Sequence, residues 1–202
     1  MANVNSPFGL AMSRSQIGHL SGAVKHYYIP ATNDKDLFVG DMIVKTGTSN
    51  TADFMGHAAG AMPAVTQAAA TGAVTGVIVG FLPGDAADKS GVLKAGVEGI
   101  ALVIDDLSAK FNIQANGAVT ADMIGQNANL SLTVAGNEYA GISGMQLDVA
   151  TAGSGSASGS DSTPLQLKIL GLADYENNAL EDNAVLEVMI NNSTEAHNTA
   201  GI

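Results

Sequence analysis

The chain has 202 residues, no cysteine, and a formal net charge of −11 from 8 Lys plus Arg against 19 Asp plus Glu. Without cysteine, thiol catalysis, zinc–thiolate sites and disulfides are excluded. A chain this acidic repels phosphate backbones and anionic membrane surfaces rather than neutralising them, so neither nucleic acid nor membrane is an expected partner.

Charged residues make up only 13% of the chain and aromatic residues 4%, while glycine numbers 24. An ordinary soluble domain carries about 25% charged residues. So much neutral surface fits a Gly/Thr/Val-rich β-protein with polar uncharged loops or, the favoured reading, a protein partly covered by copies of itself and by a neutral partner. The length fits one domain, or one domain with an arm. Residues 1–20 have no basic n-region and no continuous apolar core, so no cleavable signal peptide is expected.

In chain order, residues 1 to about 25 read as an N-terminal arm. Ser, Asn, Gly and Pro are mixed there with isolated apolar residues, and no helical or strand period is sustained. The apolar beads favour ordering on a partner, with Phe8, Leu10, Met12 and Ile17 as the contact candidates. Residues 26–202 then read as a single β-rich domain. HYYIPA predicts a strand stopped by Pro30, and LFVGDMIVKTG predicts one continuous strand ending at Gly47, with Asp41 and Lys45 on its polar face.

Residues 54–84 carry no Asp, Glu, Lys or Arg and include Gly72, Gly76 and Gly80 at GxxxG spacing. Pro63, Thr66, Gln67, Thr71 and Thr75 interrupt the run and β-branched residues dominate its second half. A buried strand over Val74 to Leu82, closed by a turn at Pro83-Gly84, explains it better than a membrane span. Glycines inside that strand are expected to mark close backbone approach or a bulge, and they read as strand or turn glycines rather than as a packing seam.

Further strands are predicted from about Gly99 to Ile104, across Phe111, Ile113 and Ala115 up to Asn116-Gly117, over NLSLTVAG with Leu130, Leu132 and Val134 on one side, and over GISGMQLDVA. TADMIGQNA predicts one short helix with Thr120 as N-cap. Residues 151–163 form a low-complexity Gly/Ser loop, and PLQLKILGL and NAVLEVMINNS read as closing strands joined by a polar turn. The expected fold is all-β: a sandwich or barrel of short antiparallel strands with one short helix and the extended arm.

Catalytic signatures are scarce. The chain has no GxSxG, GxxxxGK[ST], strand-linked GxGxxG or HExxH pattern. His19, His26, His57 and His197 are scattered, with no pair at metal-ligand spacing, and read as surface histidines. Asp105-Asp106 and the pair Asp85 and Asp88 fit solvated turn acids better than a hard-cation site. No catalytic residue, cofactor or metal is expected.

Several segments in order carry a resemblance: SPFGL in the arm, YYIPAT, LFVGDMIVKTG, the DDLSAKFNIQANG block leading to IGQNANL, PLQLKILGL, AVLEVMINN and a terminal NTAGI. Together they resemble a family of tailed-bacteriophage virion proteins known as head decoration, cement or minor capsid proteins. The resemblance implies a β-rich protein made in the host cytoplasm that assembles as a small homo-oligomer, a dimer or trimer, on the capsid exterior. Its partners would be the major capsid protein and itself, and it would not be an enzyme. Two other readings remain at this point: another phage structural part, of tail or fibre, and a secreted β-domain with carbohydrate-binding or hydrolase activity using Asp105 or Asp106.

Overall fold

The computed structural model describes residues 3–15, 24–82, 91–153 and 164–196, and within them the chain is all-β. The strands are β1 Ala11–Ser15, β2 Val24–Ile29, β3 Leu37–Phe38, β4 Met42–Ser49, β5 Pro63–Gln67, β6 Gly76–Leu82 and β7 Val92–Leu93. They continue with β8 Gly99–Ile104, β9 Ala109–Gln114, β10 Asn127–Ser131, β11 Gln146–Asp148, β12 Leu167–Leu172 and β13 Val185–Ile190. Strands β2-β5-β4-β6-β8 close into a barrel, and β1-β9-β13-β12-β10-β11 form a six-stranded sheet, with β3 and β7 as a small separate ribbon. The pairings between these strands are antiparallel except β2 with β5, which meet in parallel at Tyr28 and Ala64.

Two apolar clusters hold this arrangement. Tyr27, Ile29, Leu37, Ile43, Val65, Ile78, Ala101 and Val103 fill the barrel. Met42, Val77 and Ile104 leave the barrel on its other side and pack with Phe111, Ile113, Leu130, Leu167, Leu186 and Val188 of the sheet. Full burial of each such side chain stabilises the fold by roughly 1.5–3 kcal/mol. Strand β6 explains the charge-free run: successive side chains point to opposite faces, so Val77 enters the sheet-side core and Ile78 the barrel core. Gly76, Val77 and Ile78 are buried, while Val79 to Leu82 are half-buried, and none of these residues is polar. Among the described residues no helix is long and apolar enough to cross a membrane.

The sequence reading needs four corrections. The continuous strand over LFVGDMIVKTG is two strands, broken at Val39–Asp41 where Gly40 takes φ +92°, a left-handed conformation that glycine reaches without a Cβ clash. The short helix is a single 3₁₀ turn, Ala121–Met123, and Thr120 makes no side-chain cap hydrogen bond to it. The alternation of NLSLTVAG ends early: β10 stops at Ser131, so Leu130 is buried while Leu132 and Val134 are exposed.

The fourth concerns the arm, because residues 3–15 belong to the fold. Asn3 Nδ2 donates to the carbonyls of Ala179 and Asp182, both at 3.0 Å, and Gln114 Nε2 donates to the Val4 carbonyl at 2.9 Å. Leu10 N donates to Gly40 O at 2.9 Å, and the Leu10 side chain lies in the sheet-side core. Strand β1 then pairs along β9, from Ala11 opposite Asn112 to Ser15 opposite Ala109, with an irregularity between Met12 and Arg14. The physical reason is backbone accounting: β9 has a free side beyond β13, and β1 satisfies its amides and carbonyls.

Candidate functional site

A concavity of about 250 Å³ lies where β3, the start of β4, the end of β5 and the segment 132–145 meet. Its lining includes Asp36, Phe38, Asp41, Gln67, Leu132, Val134, Glu138 and Met145. Asp41 is 1% exposed. Its Oδ2 accepts from Phe38 N at 3.0 Å and from Gln67 Nε2 at 3.2 Å, and Ser143 bonds its carboxylate as well. Burial pushes the Asp41 carboxyl above the ordinary range, while the bonds from Ser143, Phe38 and Gln67 pull it back.

At the rim, Lys94 Nζ lies 3.2 Å from Asp36 Oδ2 and 2.6 Å from Glu138 Oε2. The Ala95 backbone amide, 2.8 Å from Asp36 Oδ1, is the main cause holding the Asp36 carboxyl below its usual range, with Lys94 adding to it. The segment above the concavity is pinned from below. A Cβ at Gly144 would stand 2.4 Å from Ala135 O, and one at Gly136 would strike the Phe38 ring. The lining mixes the apolar Phe38, Leu132, Val134 and Met145 with Asp36, Asp41, Gln67 and Glu138. Tyr139 stands beside this rim, 99% exposed.

The expected contact residues separate in space. Leu10 is a core residue, 3% exposed, and is unavailable to a partner because its own fold covers it. Phe8 and Met12 are half-buried, and Met12 packs against the sheet-side core. Ile17 lies outside the described residues, as do His19, Asp85, Asp88, His197 and most of the Gly/Ser loop.

Asp105 and Asp106, read from the sequence as solvated turn acids, do different work. Asp105 is buried, and its Oδ2 accepts from Lys25 Nζ at 2.7 Å and Tyr27 Oη at 2.8 Å. Burial first, then the Asp105 bond, pushes the Tyr27 phenol upward, and the Asp105 bond raises the Lys25 ammonium. Asp106 accepts from Ser108 N and Ser108 Oγ at 2.8 and 2.7 Å, an Asx turn that starts the β8–β9 connection.

The histidines are not all scattered: His26 Nδ1 and His57 Nε2 lie 3.0 Å apart. Their separation of 31 residues gave no local spacing to read. Asp41 was also missed as a site residue, although its place between a glycine and a run of apolar residues marks it as an acid entering a core. No family model, curated protein or solved structure matches this chain.

Proposed function

We propose that the chain is a structural protein of a tailed-bacteriophage head, a decoration or cement protein that sits on the capsid exterior. There it bridges neighbouring major capsid subunits as a small homo-oligomer and stabilises the shell by adhesion rather than chemistry. The observation that carries this reading is the exposed apolar material on a charge-poor body. Leu132, Val134 and Tyr139 are all exposed within one eight-residue stretch beside the concavity. Tyrosine supplies large, stiff contact area with a polar tip, and apolar area withdrawn from water contributes roughly 25 cal/mol per Å².

The ordered resemblance along most of the chain supports the same reading. The net charge of −11 suits a protein held outside the shell, away from packaged nucleic acid. Phe8, Met12 and Ile17 remain the proposed contacts at the N-terminal side, with Leu10 removed from the set. Many symmetric copies give tight overall attachment from individually modest contacts.

The test is co-sedimentation of the purified protein with phage shells that lack it, followed by electron microscopy of the particles. Saturable binding with density on the outer capsid surface is expected. Tyr139→Ala is expected to weaken binding about tenfold, the loss of roughly 1.4 kcal/mol that a central aromatic contact commonly carries. A monomer that fails to sediment with shells, or density confined to the tail, overturns the reading.

A further inference from the structure

We propose that His26 and His57 form a surface site for one divalent transition-metal ion of the zinc, nickel or copper class, which fastens the loop between β4 and β5 to the barrel wall. His26 lies on β2, two residues from Tyr28, so both side chains leave the same face of the strand. The loop opposite presents a matching pair. Phe54 and His57 exchange backbone hydrogen bonds, both at 2.9 Å, around a two-residue turn. Met55 and Gly56 in that turn have φ +48° and +86°, the left-handed sign that a tight type I′ reversal demands. Directly opposed residues of such a ladder project to one side, so Phe54 and His57 come down together.

The result is two ring pairs in register. Phe54 meets Tyr28 with centroids 5.6 Å apart and His57 meets His26 at 5.1 Å, both edge-to-face at 72° and 81°. The loop is also tied at its root. Asn50 Nδ2 donates to the carbonyls of Ala52 and Ala58 at 3.0 and 2.8 Å, and Asn50 Oδ1 accepts from Met62 N at 2.9 Å. A strand on one side and a tied, tight turn on the other hold the imidazoles in place before any ion arrives.

The spacing of the ring nitrogens is that of a chelate. Two imidazole nitrogens on one tetrahedral zinc ion, each at about 2.0–2.1 Å, stand about 3.3 Å apart. The observed separation of 3.0 Å requires a small rotation of the exposed His26 ring or the half-buried His57 ring. Without metal, one ring donates its N–H to the other. On metal binding, the ring that donated this bond loses the proton from its inner nitrogen to solvent and takes one up on its outer nitrogen, so both inner lone pairs face the ion and the proton count is unchanged. Neutral imidazole is a preferred ligand of this class of ion. Among the described residues no group of three or more His, Cys, Asp or Glu assembles, so water completes the coordination shell.

Isothermal titration of the full chain with zinc chloride in a non-chelating buffer tests this. One equivalent is expected to bind at roughly micromolar affinity, with a rise in Tm and coupled shifts of both rings in NMR. His26→Ala and His57→Ala are each expected to weaken binding at least tenfold, while circular dichroism stays unchanged because both rings lie outside the cores. The double variant His19→Ala/His197→Ala is expected to bind like the parent. Absence of binding at millimolar zinc, unchanged binding in His57→Ala, or loss of binding in the His19/His197 variant overturns the proposal.

Discussion

A Cβ placed on Gly76 would stand 2.4 Å from the carbonyl oxygen of Ile104 and 2.7 Å from Val103 Cγ1. Strand β6 thus lies against β8 at a distance only a hydrogen at that Cα allows. Alanine there pushes on backbone that also closes the barrel. Gly76→Ala is expected to lower stability by roughly 1–3 kcal/mol, the range of an overpacked core. Gly80 stands at the irregularity in the same ladder, and its nearest neighbour would be Leu102 Cδ1 at 3.5 Å, an ordinary contact. Gly80→Ala is therefore expected to shift stability by less than about 1 kcal/mol. Urea unfolding of the two variants checks the contrast, and equal midpoints would contradict the close approach.

Leu10 separates the N-terminal segment as a structural element from the same segment as a loose arm. Its side chain is 3% exposed and its neighbours are core residues of both sheet and barrel. Leu10→Ala is expected to cost roughly 2–5 kcal/mol in equilibrium unfolding, as for other buried leucines. Deleting residues 1–15 removes β1 along with it and is expected to destabilise the whole protein, so loss of shell binding by such a deletion carries no information about contacts. Phe8→Ser, made at a half-buried position, probes contact more cleanly than Met12→Ser, because Met12 packs against the sheet-side core. A Leu10→Ala midpoint equal to the parent's would return the segment to the status of an appendage.

Most of the fold was legible because periodicity is a local property. The residues of β8 and β13 alternate or run apolar within six positions, and turn residues bound them. The double burial at Val77 and Ile78 was readable as a charge-free apolar stretch, but which two cores they served was not, since that depends on partners far along the chain. Three features escaped for the same reason. Leu10 is an isolated bead until β9 offers an edge. Asp41 occupies a polar slot in a strand pattern until Gly40 breaks the strand and Ser143 closes over the acid. His26 and His57 are unrelated until a two-residue turn drops one ring on the other. Sequence spacing reports neighbours within one element, and sites are made between elements.

Tyr27 and Lys25 bond the same oxygen of Asp105, at 2.8 and 2.7 Å, but from different surroundings. The tyrosine is buried, while the lysine side chain is 60% exposed. Water screens the exposed ion pair and competes for the ammonium, so Lys25→Ala is expected to cost under about 1 kcal/mol. Tyr27→Phe leaves the buried carboxylate short of a donor that water does not readily replace, and is expected to cost about 1.5–3 kcal/mol. Chemical denaturation of both variants at neutral pH decides the order. A larger loss from Lys25→Ala than from Tyr27→Phe would mean that the ion pair, not the phenol, holds the barrel strand.

Asp41 predicts a pH dependence of stability with an unusual sign for a carboxylate. Its carboxyl is raised in the folded protein because burial penalises the charged form more than the bonds from Ser143, Phe38 and Gln67 favour it. In the window between the ordinary value of 3.8 and the raised folded value, the folded chain holds more protons at this site than the unfolded chain. Stability from this group is therefore full below the unfolded value and is lost as pH rises through the folded one. Asp41→Asn removes the titration while keeping the shape, though its amide turns one acceptor into a donor facing the Gln67 amide or the Ser143 hydroxyl. The parent is expected to exceed the variant in unfolding free energy by more at pH 4 than at pH 7, with the gap narrowing as the carboxylate ionises. Urea midpoints at a series of pH values give that difference directly, and a gap that widens with rising pH would show the bonds to the carboxylate outweighing its burial.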